Sequence, residues 1–108
     1  MDAFILRSTE NDIASDEDIR REKEKARRLR RTQWWMKKIQ KGLCHYCQLQ
    51  VGQGRLTMDH IVPLSRGGKS KKGNIVPACK ECNNKKKTLL PVEWAEYLSS
   101  LAERKPEL

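Results

Sequence analysis

No stretch of this sequence approaches the roughly 20 consecutive apolar residues that a bilayer-spanning helix needs. The opening residues, Met1 to Asp18, are acidic and carry no long apolar run of the secretory kind. Neither a membrane protein nor an exported one is therefore expected, and the expected setting is intracellular and cytoplasmic. Aromatic residues are scarce, at three Trp, two Tyr and one Phe in 108 positions. A chain this short with so few large apolar side chains buries a limited core, and such domains commonly need a staple. Histidine is scarcer still: only His45 and His60 occur. There is no internal repeat and no clear base-reading constellation.

What is present begins with four cysteines in two pairs, Cys44-x2-Cys47 and Cys79-x2-Cys82, separated by 31 residues. In a reducing compartment two such pairs favour a metal over disulfides. Each knuckle presents two thiolates, and four thiolates are the donor set of a tetrahedral zinc site. Free thiols or a redox pair are the competing reading. His45, inside the first knuckle, offers a substitute ligand that four cysteines make unnecessary. A closed four-thiolate shell leaves no position for water or substrate, so this zinc is expected to be structural. The long gap between the pairs must hold an inserted substructure.

Net negative charge is confined to the first segment. Residues 1–18 hold six acids against Arg7, whereas residues 19–41 hold eleven Lys and Arg against Glu22 and Glu24. Residues 42–108 hold eleven more against six acids, and the whole chain carries a net charge of +9. A basic block followed by a basic domain is the footprint of a polyanion binder. The acidic residues 1–16 read as a flexible segment. Residues 17–41 contain no Gly or Pro and read as one basic helical arm, capped by Asp16 or Asp18 and ending near Gly42. Its first half is expected to project into solvent or along a phosphate backbone. Its second half is expected to dock through Trp35, Met36, Ile39 and Leu43. Arg27, Arg28, Arg30 and Arg31 of the arm are expected to supply sequence-neutral phosphate contacts. Trp34 and Trp35 suit base stacking, but packing of the helix is the stronger expectation.

Between the knuckles, residues 55–62 alternate and read as a strand. Residues 63–73 read as a glycine-containing basic loop with Arg66 and Lys69 beside the strand. Residues 74–79 read as a second strand, and Cys79 to Lys87 as a knuckle passing into a helix. Pro91 opens a last helix whose apolar face holds Val92, Trp94, Tyr97, Leu98 and Leu101. The expected fold class is α+β: a hairpin plus helix stapled by a four-cysteine zinc site. A long basic N-terminal helix and a C-terminal helix flank it. The division is 1–16, 17–41, 42–94 and 95–108, the last being a helix and tail.

The run "DHIVPLSRGG" from Asp59, then Asn74, then "CKECNNKK" from Cys79, resembles the HNH endonuclease family. Its paired CxxC elements are similar to the zinc-stapled bacterial and phage members. The resemblance implies a ββα-metal fold and hydrolysis of DNA, double-stranded most of all, by nicking as a monomer or by double-strand cleavage as a homodimer. It implies that His60 is the general base, that Asp59 and Asn83 hold a catalytic cation, and that Asn74 keeps the histidine in position. The third residue is Asn83 rather than histidine, so this is an H-N-N variant. Two oxygen ligands suit Mg2+ or Mn2+ better than zinc. Because adjacent strand residues face opposite ways, the strand must bend or twist for Asp59 and His60 to address one phosphate. Lys86 sits where the family often places a phosphate-neutralising lysine, with Lys85 and Lys87 as weaker candidates. Read without the family, Asp59-His60 is also compatible with a structural pair and Asn74 with a turn residue. The alternative function is a non-catalytic zinc-finger-type nucleic-acid-binding module, or a subunit of a larger restriction, recombination or repair assembly.

Overall fold

The computed structural model describes residues 14–104. Most of the segment expected to be flexible, residues 1–13, and the tail past Arg104 lie outside the described residues. Ser15 stands in an extended conformation and its hydroxyl accepts the Asp18 amide. Ser15, rather than Asp16 or Asp18, therefore caps helix α1 (Asp16–Arg30). Asp16, Glu17 and Asp18 then occupy the first turn and Arg27, Arg28 and Arg30 the last, each sign at the end that the helix dipole favours.

The single helix expected over residues 17–41 is broken. Arg31 ends α1, and Thr32 starts a second helix, α2 (Gln33–Ile39), by accepting the Trp35 amide at 3.4 Å. The Thr32 hydroxyl also donates to the Leu29 carbonyl at 2.6 Å. A hydroxyl that bonds nearby backbone offers an alternative to the helical ladder, so the break needs neither Gly nor Pro. The first half of the arm does not simply project. Glu22 and Ala26 are buried, and α1 packs on the turn at Leu64–Arg66. In the second half Trp35 is buried, while Met36 is 45% exposed and stands off the docking face.

Strands β1 (Leu56–His60) and β2 (Ile75–Cys79) form an antiparallel hairpin, with Leu56 opposite Cys79 and His60 opposite Ile75. Every residue of β2 is buried, because α2 packs against it and helix α3 (Lys80–Lys86) packs on both strands. Pro77 has no N–H for the ladder, which a two-stranded sheet tolerates because each strand is an edge. Its carbonyl instead accepts the His45 amide at 2.8 Å, tying the first knuckle to the hairpin. Helix α3 follows β2 without a loop: Cys79 is its cap, its sulfur accepting the Cys82 amide. Helix α4 (Pro91–Arg104) opens on proline as expected and buries Trp94, leaving Val92 and Leu98 exposed.

The core is thin, as the composition implies. Cys44, Ala78 and Cys79 form its centre, with Tyr46, Val51, Leu56 and Cys82 packed around them. The loop between the strands turns tightly at two glycines. Gly67 has φ of 93°, the left-handed region. At Gly68 a Cβ would lie 1.8 Å from the Val62 carbonyl oxygen, so no side chain fits. No helix among the described residues is long and apolar enough to cross a membrane.

Candidate active site

The hairpin and α3 bring the two knuckles together. The sulfurs of Cys44, Cys47, Cys79 and Cys82 all lie within 4.8 Å of one another, a cluster that can hold a metal ion such as zinc. Backbone amides of Tyr46 and Cys47 point at the Cys44 sulfur. Burial pushes the Cys44 thiol up, but amides of Cys47, Cys79 and Tyr46 outweigh it and bring the thiol down to about 7. His45 is exposed and its ring packs edge-on against Tyr46, at 5.1 Å between centroids.

Between those knuckle residues sits Tyr46, whose side chain reaches the hairpin. Its hydroxyl donates to Asp59 Oδ2 at 2.6 Å. Burial, followed by the Asp59 carboxylate, holds the Tyr46 phenol far above its ordinary range, so it remains a donor. Lys86 Nζ stands 3.4 Å from the same Oδ2 and donates to the His60 carbonyl at 3.0 Å. It also lies 5.8 Å from the centre of the Tyr46 ring. Lys86 is 1% exposed and Asp59 6%, so this is a buried pair in which the ammonium and Asp59 Oδ2 are both hydrogen-bonded. Lys86 therefore stands behind the aspartate, with its ammonium engaged there rather than presented at the surface.

Thr57 and Asp59 share one face of β1, and Asn83 and Lys86 share one face of α3. The Asn83 amide nitrogen donates to the Thr57 hydroxyl at 2.9 Å. Thr57 thus takes the NH2 end of Asn83, and Tyr46 and Lys86 take one oxygen of Asp59. Among the described residues, Asp59 Oδ1 and Asn83 Oδ1 have no side-chain partner, and carboxylate and amide oxygens are the donor type that a hard cation takes.

His60 ends β1, and the chain bends at Ile61–Val62 immediately after it. Its Nε2 lies 2.9 Å from the Ser70 hydroxyl. Burial holds the imidazole below its usual range, while the carboxylates of Asp59 and Glu22 pull it back up. The histidine lines a cleft of about 320 Å³ together with Lys23, Ala26, Arg27 and Arg30 of α1 and with Leu64. Asn74 is buried and clamps the intervening loop. Its Oδ1 accepts the Val62 amide at 2.8 Å, and its Nδ2 donates to the carbonyls of Val62 at 3.1 Å and Lys69 at 2.9 Å. The Asn74 carbonyl also accepts the Ile61 amide at 2.9 Å. The asparagine thereby holds the backbone next to His60.

The basic residues separate into engaged and open ones. Arg66 pairs with Glu93 at 3.3 Å, Lys85 with Glu81 at 3.5 Å, and Arg27 and Arg28 with Glu24. Lys69, Lys87, Arg30 and Arg31 are exposed. Four contributors escape sequence reading: Tyr46, Thr57, Ser70 and Glu22. Two carried a usable signal. A tyrosine in a knuckle has a hydroxyl that needs a partner once buried. Glu22, Ala26 and Leu29 recur at helical spacing, marking a face turned inward. Thr57 and Ser70 are polar residues with nothing in their neighbours to single them out.

Residues 44–89 match a family model described as HNH endonuclease. A relative described as CRISPR-associated endonuclease Cas9, from Actinomyces naeslundii, is 35% identical over 54 residues. That similarity takes in 49% of this chain and 5% of the relative, so the chain spans a small fraction of that protein's length.

Proposed function

We propose, from the match of residues 44–89 to the HNH endonuclease model, that this chain is a metal-dependent endonuclease that hydrolyses DNA phosphodiester bonds, with His60 as general base. The observation that carries the reading is the cleft in which His60 stands beside Lys23, Arg27 and Arg30. An imidazole facing guanidinium and ammonium groups meets the needs of a phosphate-directed base: the cations grip the backbone, and the ring faces the nucleophile.

Asp59 and Asn83 would hold the cation, Mg2+ or Mn2+ by their oxygen donors. When bound, it supplies Lewis-acid stabilisation of charge on the departing 3′ oxygen. The protein's own side chains do the remainder. Tyr46 and Lys86 orient Asp59 and balance its charge. Asn74 keeps the backbone beside His60 in place, and His60 accepts a proton from the water that attacks in line. Lys23, Arg30, Arg31, Lys69 and Lys87 bind flanking phosphates, and Arg27 joins them by exchanging its exposed Glu24 partner for phosphate. The products are a 5′-phosphate and a 3′-hydroxyl. Zinc on Cys44, Cys47, Cys79 and Cys82 is structural, holding Tyr46 and α3 against the hairpin. One such centre cuts one strand, so a monomer nicks, and a two-fold dimer makes double-strand breaks.

Supercoiled plasmid incubated with the full chain and Mg2+ or Mn2+ tests the reading. The wild type is expected to convert it to the nicked form, and His60→Ala to lower the rate by about 10²- to 10⁴-fold, the usual worth of a general base. A wild type that is inert with every divalent ion, yet binds DNA as well as His60→Ala does, would identify a binding module instead.

A further inference from the structure

The His60 ring is held at one nitrogen, and the bonds around that nitrogen have a direction. The Ser70 hydroxyl, 2.9 Å from His60 Nε2, is also 2.6 Å from the backbone carbonyl oxygen of Glu22 in α1. The Ser70 amide donates to Glu22 Oε1 at 2.6 Å. Ser70 is 7% exposed and Glu22 4%, so little water competes for these groups. A serine hydroxyl has one hydrogen, and a backbone carbonyl only accepts. The hydrogen therefore goes to Glu22, and towards His60 the Ser70 oxygen is an acceptor. Nε2 must then carry the ring proton, which leaves the lone pair on Nδ1.

From this chain of bonds we infer that Ser70, anchored on Glu22, is a positioning residue that fixes His60 in the Nε2–H tautomer and reserves Nδ1 for the proton of the attacking water. The inference rests on His60 being the base. When Nδ1 takes that proton the ring becomes an imidazolium with two N–H donors, and its Nε2–H still donates to Ser70. No bond in the relay changes direction, so proton uptake needs no rearrangement around the ring. Helix α1 is then a wall of the active site as well as a phosphate-binding arm. Its carbonyl comes from a residue 48 positions earlier in the chain. With α1 undocked, the Ser70 hydroxyl is free to rotate and donate to Nε2. That would place the ring proton on Nδ1 and silence it.

The test uses the 15N-labelled full chain and two-bond 15N–1H correlation spectra of the imidazoles at about pH 8, above the ordinary histidine range. Signals that survive in His60→Ala belong to His45. The expected wild-type spectrum shows a protonated, pyrrole-type Nε2 and an unprotonated, pyridine-type Nδ1 for His60. Ser70→Ala is expected to shift both towards a mixture of tautomers. It should also lower kcat for nicking about 10- to 100-fold with little change in KM, the range for losing a group that orients an imidazole. A wild-type His60 protonated at Nδ1, or a Ser70→Ala spectrum identical to wild type, overturns the inference. The wild-type spectrum decides the tautomer by itself, whatever the substitution does to folding. It also separates the two readings, since Nε2–H in a chain that cuts no DNA upholds the relay and sinks the nuclease.

Discussion

Removing one oxygen atom, in Tyr46→Phe, probes the link between the cysteine knuckle and the aspartate. The substitution deletes the 2.6 Å hydrogen bond to Asp59 Oδ2 and keeps the ring. The edge contact with Trp94 at 5.7 Å and the ring under Lys86 are both retained. The loss therefore isolates a bond to an ionised acceptor. Such bonds contribute about 1.5–3 kcal/mol. The upper half of that range applies, because Asp59 is too buried for water to replace the phenol and only Lys86 remains as a partner. A loss of about 2.5 kcal/mol in a domain of this size lowers the melting temperature by roughly 10–20 °C. Thermal unfolding of the zinc-loaded protein, followed by circular dichroism, measures it. A double-mutant cycle with Asp59→Asn assigns it. With a neutral acceptor the same deletion should cost nearer 1 kcal/mol. If Tyr46→Phe costs under about 0.5 kcal/mol, or the same amount with Asn at position 59, the bond does not tie the knuckle to the site.

The four-cysteine cluster should be indispensable to folding, since metal binding and folding are coupled in small domains. Treatment with a strong zinc chelator, or Cys44→Ser, is expected to abolish cooperative unfolding, and a retained transition within about 1 kcal/mol of the original would refute the staple. Stability should also fall in acid through Glu22. The Ser70 amide, aided by Lys25, holds its carboxyl below the ordinary value of 4.5 against the opposing effect of burial. A depressed carboxyl contributes stability above its unfolded pKa and loses it as pH falls through the folded value. Melting temperatures between about pH 3 and pH 6 should therefore drop more steeply for wild type than for Glu22→Gln. Parallel curves would mean that Glu22 is not the group responsible.

Several features of the fold could be read from local chemistry. Two CxxC pairs announce a metal cluster because each knuckle closes within four residues. Alternation in "LTMDH" marks a strand, and Pro91 marks a helix start, by stereochemistry that operates over a few residues. The "DHIVP", Asn74 and Asn83 spacing carried the family resemblance for the same reason. The break at Thr32 is not legible in the sequence, because it depends on one hydroxyl that accepts the Trp35 amide and donates to Leu29, in a run of otherwise good helix formers. The inward face of Glu22 shows in its helical spacing, but its partner does not, because Ser70 lies in a loop 48 residues along the chain.

Residue order alone supplies an inventory: four thiols, two imidazoles of which His60 lies between the cysteine pairs, two candidate oxygen ligands and a heavily basic arm. Which of these groups meet was decided only by tertiary structure. Lys86 and Lys87 are neighbours in one basic run, yet the docking of α3 on β1 buries the first against Asp59 and leaves the second exposed. Net charge and spacing cannot make that distinction, because it depends on which face of the helix is desolvated. The same holds for His60, whose orientation comes from a serine in the following loop and a helix carbonyl that precedes it in the chain by nearly 40 residues.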